Sequence, residues 1–149
     1  MAMFRRIALG SDHAGYPQKA QLAAYLDERG FEVVDVGPDN ETDSVDYPDY
    51  ALAASLPVQN GEVDCAILVC GTGIGMAIAA NKLAGIRAAN VTIPEFGALC
   101  REHNDANVIT LSGRFIDLDM NKRIIDAFLT TDYVGDRHQR RLDKIAELE

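Results

Sequence analysis

Val63-Asp-Cys-Ala-Ile-Leu-Val-Cys70 runs straight into Gly71-Thr-Gly-Ile-Gly75. Apart from Asp64 the first stretch is apolar, as expected of a central parallel strand covered on both faces. The glycines then turn the chain, and Met76 to Leu83 has helical composition. The same alternation continues upstream. Phe4 to Leu9 reads as a short strand. Ala20 to Leu26 carries Leu22 and Leu26 four apart, a helical stripe stopped at Gly30. Phe31 to Val36 is a β-branched run broken by Gly37-Pro38, and Tyr50 to Leu56 a helix ended by Pro57 and Gly61. Downstream, Ile86 to Val91 is a strand, and Pro94 suits the first turn of the next helix. Val108 to Leu111 is a strand and Asp117 to Leu129 a helix with Ile124, Ile125 and Phe128 inward. Gly135 precedes a last amphipathic helix to Glu149.

Five βα units follow one another with no linker, repeat or low-complexity segment. This predicts a single domain over residues 1–149, an α/β fold: a Rossmann-like three-layer α/β/α sandwich around a five-stranded parallel sheet. Ligands of such folds sit beyond the carboxyl ends of the strands, where the strand order switches direction. The residues to read closely are therefore Ser11-Asp12-His13, Cys70 to Gly75, Asn90 and Ser112-Gly113-Arg114.

The 149 residues are 48% hydrophobic and 25% charged, enough apolar material for one real core. A net charge of −9 argues against nucleic acid or an anionic membrane as partner. Met1 to Ser11 has no cleavage-site pattern, and its Ile7-Ala8-Leu9 reads as a buried strand rather than part of a signal peptide. Cys65, Cys70 and Cys100 lack CxxC spacing, which points to reduced thiols in the cytoplasm and away from a metal site. Asp39, Glu41, Asp43, Asp46 and Asp49 form an acidic stretch, read as a solvated loop.

Gly71, Gly73 and Gly75 allow close backbone approach to a ligand at a helix start, suited to an anion or a developing oxyanion. The spacing is GxGxG; Met76 stands where a dinucleotide fingerprint needs its third glycine, so a nicotinamide cofactor is disfavoured. Gly10 to Gly15 has P-loop glycine spacing but continues Tyr16-Pro17 instead of Lys-Ser/Thr. Cys70, beside the N–H groups of the turn, is placed to be held as a thiolate base or nucleophile, although position alone also allows a buried structural cysteine. The three histidines are His13 after the first strand, His103 before Val108, and His138 within Arg137-His138-Gln139-Arg140-Arg141. Arg137 and Arg141 are i, i+4 neighbours on a helix, able to grip a phosphate by forked bonds or simply to form a solvated basic face.

Taken together, Gly10-Ser-Asp-His-Ala-Gly15, Asp46-Tyr47-Pro48, Cys70 to Gly75 running into Ala79-Ala80-Asn81-Lys82, Gly85-Ile86-Arg87-Ala88, Arg101 to Asp105, Gly113-Arg114 and Arg137 to Arg141 resemble the ribose-5-phosphate isomerase B family. That family also includes galactose-6-phosphate isomerase subunits. The resemblance implies interconversion of an aldose phosphate and its ketose through an enediol, with no cofactor and no metal. It gives ring opening to His103 with Asp12 as partner, the carbon-proton base to Cys70, and proton relay between substrate oxygens to Thr72. Backbone N–H groups of Gly71, Gly73 and Gly75 would line the oxyanion site. His13, Arg137, His138 and Arg141, with Arg114, would hold the phosphate, and Tyr47 and Asn104 would touch sugar hydroxyls. Relatives lacking the cysteine use a glutamate at the head of the next helix; Met76 stands there, so the cysteine version fits.

The resemblance further implies a homodimer, or a dimer of dimers, with active sites shared between chains. Galactose-6-phosphate, allose-6-phosphate or a four-carbon ketose phosphate are rival substrates, and a non-catalytic sugar-phosphate-binding module is a rival of another class. A binding module would need Arg137 and Arg141 but neither Cys70 nor His103.

Overall fold

The computed structural model describes residues 4–149; Met1 to Met3, the start of the segment read for a signal peptide, lie outside the described residues. The elements are β1 (Arg6–Ser11), α1 (Tyr16–Glu28), β2 (Glu32–Gly37), α2 (Tyr47–Gln59), β3 (Cys65–Cys70), α3 (Ile74–Ala80), β4 (Ala88–Asn90), α4 (Pro94–Asn104), β5 (Val108–Ser112), α5 (Leu118–Thr130) and α6 (Arg137–Ala146). The strands form one sheet in the order β2-β1-β3-β5-β4, and every paired strand is parallel.

Cys65–Cys70 is buried at every position because its alternating side chains enter two separate cores. Cys65, Ile67 and Val69 face Leu22 and Leu26 of α1, Cys100 of α4, and Ile124, Ile125 and Phe128 of α5. Ala66, Leu68 and Cys70 face Ala51 and Ala54 of α2 and Met76 and Ala80 of α3. The period of two along a strand thus sends Cys70 to the α2–α3 side. α1, α4 and α5 cover one face and α2 and α3 the other, the expected three layers.

Element ends depart from the sequence reading in informative ways. α2 does not stop at Pro57 but carries it inside the helix to Gln59. Proline there forfeits one bond near the helix end, and its carbonyl recovers donors from the N–H groups of Glu62 (2.8 Å) and Val63 (3.3 Å). α1 and α2 begin earlier than expected, each with a proline in its first turn, where a missing N–H costs nothing. β4 shrinks to three residues at the sheet edge. There Asn81 mimics a strand neighbour, its amide donating to the Ala88 carbonyl (2.9 Å) and accepting from the Ala88 N–H (2.8 Å).

On the α2–α3 side apolar side chains remain at the surface: Tyr47, Leu52, Leu56, Ile74 and Ile78, the last 61% exposed. Among the described residues no helix is long and apolar enough to cross a membrane.

Candidate active site

The switch in strand order falls between β1 and β3, and the residues following these two strands converge there. Asp12, largely buried, takes its N–H to the Val69 carbonyl (3.2 Å) and caps the next turn by accepting from the Gly15 N–H (2.9 Å). His13 accepts through Nδ1 from the Val45 N–H (3.2 Å), so the loop after β2 closes over it. That loop is anchored at its start by Lys19, whose buried ammonium donates to Asp35 Oδ1 (2.7 Å) and the Pro38 carbonyl (2.6 Å).

Cys70 ends β3 with its Sγ accepting from the Gly73 N–H at 3.1 Å. Gly73 has φ +83°, and a Cβ there would lie 2.6 Å from Asn90 Oδ1; the left-handed turn and the crowding both require glycine. Gly75 serves the ring above it, since a Cβ would meet Tyr47 at 2.5 Å. Two hydroxyls of β5 fix the peptide planes of the turn. Ser112 Oγ donates to the Gly71 carbonyl and Thr110 Oγ1 to the Gly73 carbonyl, both at 2.7 Å. With those carbonyls drawn toward β5, the trans peptide following Gly71 turns its N–H away from the sheet. Thr72 Oγ1 accepts from the Ile74 N–H (3.1 Å), and the Arg114 side chain lies over Gly71. Asn121 and Gln18, joined at 2.7 Å, hold the loop that carries Arg114 through the carbonyls of Ser112, Gly113 and Ile116.

Asp12, His13, Tyr47, Cys70, Thr72, Gly71, Gly73, Gly75 and Arg114 therefore gather at the carboxyl end of the sheet. The remaining predicted residues do not join them. His103 and Asn104 end α4, just before β5 begins at Val108, whereas Cys70 pairs with Ser112 at the far end of the same strand pair. The length of β5 alone separates the two groups by roughly 13 Å at about 3.3 Å per residue. His103 is instead joined by the start of α6. The His138 ring stacks on it with centroids 4.5 Å apart and planes 16° apart, and the Val134 N–H donates to the Glu102 carbonyl (3.1 Å). Arg137 and Arg141 lie exposed beside this stack. His103, Val134, Asp136, Arg137 and His138 line a groove of about 200 Å³.

His138 is held below the ordinary imidazole value of 6.5, first by burial and then by the neighbouring His103, Arg137 and Arg141, with Asp136 opposing. Burial also pushes the Cys100 thiol up to about 11 and raises Cys65 further, so neither is a base near neutral pH. Among the described residues no group of three or more His, Cys, Asp or Glu is placed to hold a metal ion.

The sequence reading did not single out Thr110, Gln18 or Asn121. Thr110 had a signal, a hydroxyl inside the otherwise apolar Val108-Ile109-Thr110-Leu111 run; Gln18 and Asn121 sit on helices, and only their tertiary partners reveal them. A groove of about 630 Å³ between α6 and the approach to β4 reaches Asn104 but not Cys70. The chemistry, rather than the size of the concavity, marks the site.

The family model described as Ribose/Galactose Isomerase matches residues 7–145. The chain belongs to the ribose/galactose isomerase family. Among members of this family, ribose-5-phosphate isomerase B of Escherichia coli (strain K12) is 46% identical over 145 residues, 97% of each chain. The solved ribose-5-phosphate isomerase B of Clostridium thermocellum superposes with a TM-score of 0.94 at 45% identity, covering 96% of both chains. That of Mycoplasma genitalium, solved with bound ribulose-5-phosphate, gives 0.93 at 42% identity over 98% of this chain and 97% of its own. The parallel sheet and its helices are thus those of the ribose/galactose isomerases.

Proposed function

We propose that this chain is a cofactor-independent aldose–ketose isomerase interconverting ribose 5-phosphate and ribulose 5-phosphate, acting as a single domain in a homodimer or dimer of dimers. The observation that carries the reading is the division of the site. A thiol on a glycine turn lies at one end of the sheet and a histidine–arginine cluster at the other, in a chain whose solved relative binds ribulose-5-phosphate. A second copy supplies to each Cys70 the His103 cluster that its own chain holds too far away. The apolar α2–α3 surface beside Cys70 provides material for such a contact.

In this reading His103 and Asp12 move protons between the ring oxygen and the C1 hydroxyl, opening the furanose to the aldehyde. Cys70, as thiolate, takes the C2 proton; the electron pair moves to O1 and forms the enediolate. N–H groups of the Gly71–Gly75 turn receive the negative oxygen, and Thr72 shuttles a proton from O2 to O1. Cys70 then returns its proton to C1, completing the ketose. His13, Arg114, Arg137, His138 and Arg141 hold the phosphate dianion, and Tyr47 and Asn104 touch sugar hydroxyls. In a chain of net charge −9, Arg114, Arg137 and Arg141 concentrate positive potential where the ligand needs it. Three unpaired, buried cysteines suit a reducing cytoplasm.

The test is ribulose 5-phosphate formation from ribose 5-phosphate by the wild type, Cys70→Ala and His103→Ala. Each variant should lose about 10²- to 10⁴-fold in rate while staying folded. A wild type inactive on every pentose and hexose phosphate offered overturns the reading; full activity in Cys70→Ala overturns only the choice of base.

A further inference from the structure

Gly85-Ile86-Arg87-Ala88 plays no part in the chemistry above, yet its arginine is among the most heavily bonded side chains of the molecule. Arg87 lies just ahead of β4, at the end of the sheet that carries His103. Its Nε donates to two successive carbonyls at the end of α4, Asn104 (3.1 Å) and Asp105 (2.9 Å), and its Nη2 reaches Asp105 Oδ2 at 3.4 Å. Arg101 Nη1 donates to the other carboxylate oxygen, Asp105 Oδ1 (2.9 Å), and to the Ala106 carbonyl (2.6 Å). Two guanidiniums thus converge on one carboxylate.

The residue they hold is strained. Asp105 caps α4 with φ +46°, in the left-handed region that a residue with a Cβ adopts reluctantly. The last carbonyls of a helix have no partner within it, and a cation there is favoured by the helix dipole. Arg87 supplies both at the two positions that follow His103. The main chain adds a second tie: the Arg87 N–H donates to Asn107 Oδ1 (2.8 Å), and the Arg87 carbonyl accepts from Asn107 (3.1 Å).

The two arginines differ in what else they do. Arg101 is buried in the core, its guanidinium 4.8 Å from the Phe4 ring and 5.9 Å from that of Phe128, so its removal would disturb the fold itself. The Arg87 side chain is 29% exposed, and its bonds go to the end of α4 rather than to the core.

We propose that Arg87 is a positioning residue: it locks the end of α4 so that His103, stacked on His138, and Asn104 keep the aim that ring opening requires. The inference rests on the role given to His103 above. Displacement of a catalytic group by about 1 Å can cost on the order of 100-fold.

The test compares wild type with Arg87→Ala, Arg87→Lys and Asp105→Asn. Four quantities are read: kcat/KM for ribose 5-phosphate, solvent-deuterium exchange into C1 of ribulose 5-phosphate, the imidazole ¹⁵N signals of the three histidines, and the thermal midpoint. Exchange needs the carbon-proton base on an open-chain sugar but no ring opening. Arg87→Ala should lose roughly 10- to 100-fold in kcat/KM, with a much smaller fall in exchange. The His103 and His138 signals should move while His13 stays. Arg87→Lys, charged but unable to fork, should recover only part. Should Arg87→Ala fail to fold, the same pattern in Arg87→Lys and Asp105→Asn carries the test. Wild-type kcat/KM in the folded variants overturns the proposal, as does an equal loss of isomerisation and exchange with unmoved histidine signals. A wild type inactive on ribose 5-phosphate would instead overturn the role of His103, leaving the histidine signals to report on the clamp.

Discussion

His138 shows how far a single side chain can depart from what its sequence position suggests. Within Arg137 to Arg141 it reads as one more cation for a phosphate, but the fold buries its ring against His103. Burial and the surrounding positive groups oppose its protonation. Histidine NMR should therefore place its midpoint below 6.5, and His103→Gln should raise that midpoint by removing one neighbouring imidazole. Because the folded ring holds its proton more weakly than the unfolded one, stability from this site is complete above pH 6.5. It is lost as pH falls through the folded value. A midpoint at or above that of free histidine would contradict this account. Gly75 offers a second test at this scale, since the Tyr47 ring occupies the place of its missing Cβ. Gly75→Ala should displace Tyr47 and raise KM for the sugar phosphate several-fold, with kcat changed less, because the ring is given a binding role and no proton to move.

At the scale of the element, what was legible and what was not divide along physical lines. β3 could be read as a buried central strand because both of its faces are apolar, and α5 because Ile124, Ile125 and Phe128 share a helical stripe. The end of α2 could not, because the carbonyl of Pro57 finds its partners in Glu62 and Val63, beyond the helix. The glycine turn was legible as a turn, but its orientation depends on Thr110 and Ser112 from β5, far away in sequence. Thr110→Val removes one of those bonds; the Gly73 carbonyl keeps the Ala77 N–H (3.2 Å), so the cost is that of one net hydrogen bond, about 0.5–1.5 kcal/mol. Asp117→Ala removes the cap of α5, where Asp117 Oδ1 accepts from the Met120 N–H at 2.8 Å, at a comparable cost of about 0.5–2 kcal/mol. Both variants should melt earlier in calorimetry. Only Thr110→Val should also lower kcat, because only it releases the turn beside Cys70. Equal kcat in the two would mean that the turn keeps its shape without β5.

The whole molecule poses the question that neither residues nor elements answer, how Cys70 and His103 could serve one site as the proposed reaction requires. The sequence names both and places Cys70 after one strand and His103 before another of a parallel sheet; the direct pairing of β3 with β5 turns that order into opposite ends of neighbouring strands. The proposed two-fold dimer would resolve the separation, because a contact of one copy's Cys70 end with its partner's His103 end would be repeated by symmetry and yield two equal sites. This arrangement makes a quantitative prediction. Cys70→Ala and His103→Ala dimers, each inactive alone, are mixed, dissociated in mild denaturant and reassembled. Random pairing makes half the dimers hybrid, and each hybrid has one site carrying both defects and one carrying neither, so activity should return to about a quarter of wild type. If both groups came from the same chain, every site would retain one defect and the mixture would stay inactive. Ile78→Glu sharpens the outcome: Ile78 is 61% exposed on the α2–α3 surface, and a charge there should oppose its burial against a second copy. Sedimentation should then show monomer, folded by circular dichroism and inactive. A folded monomer with wild-type activity would show that one chain closes its own site, against the distance set by the sheet.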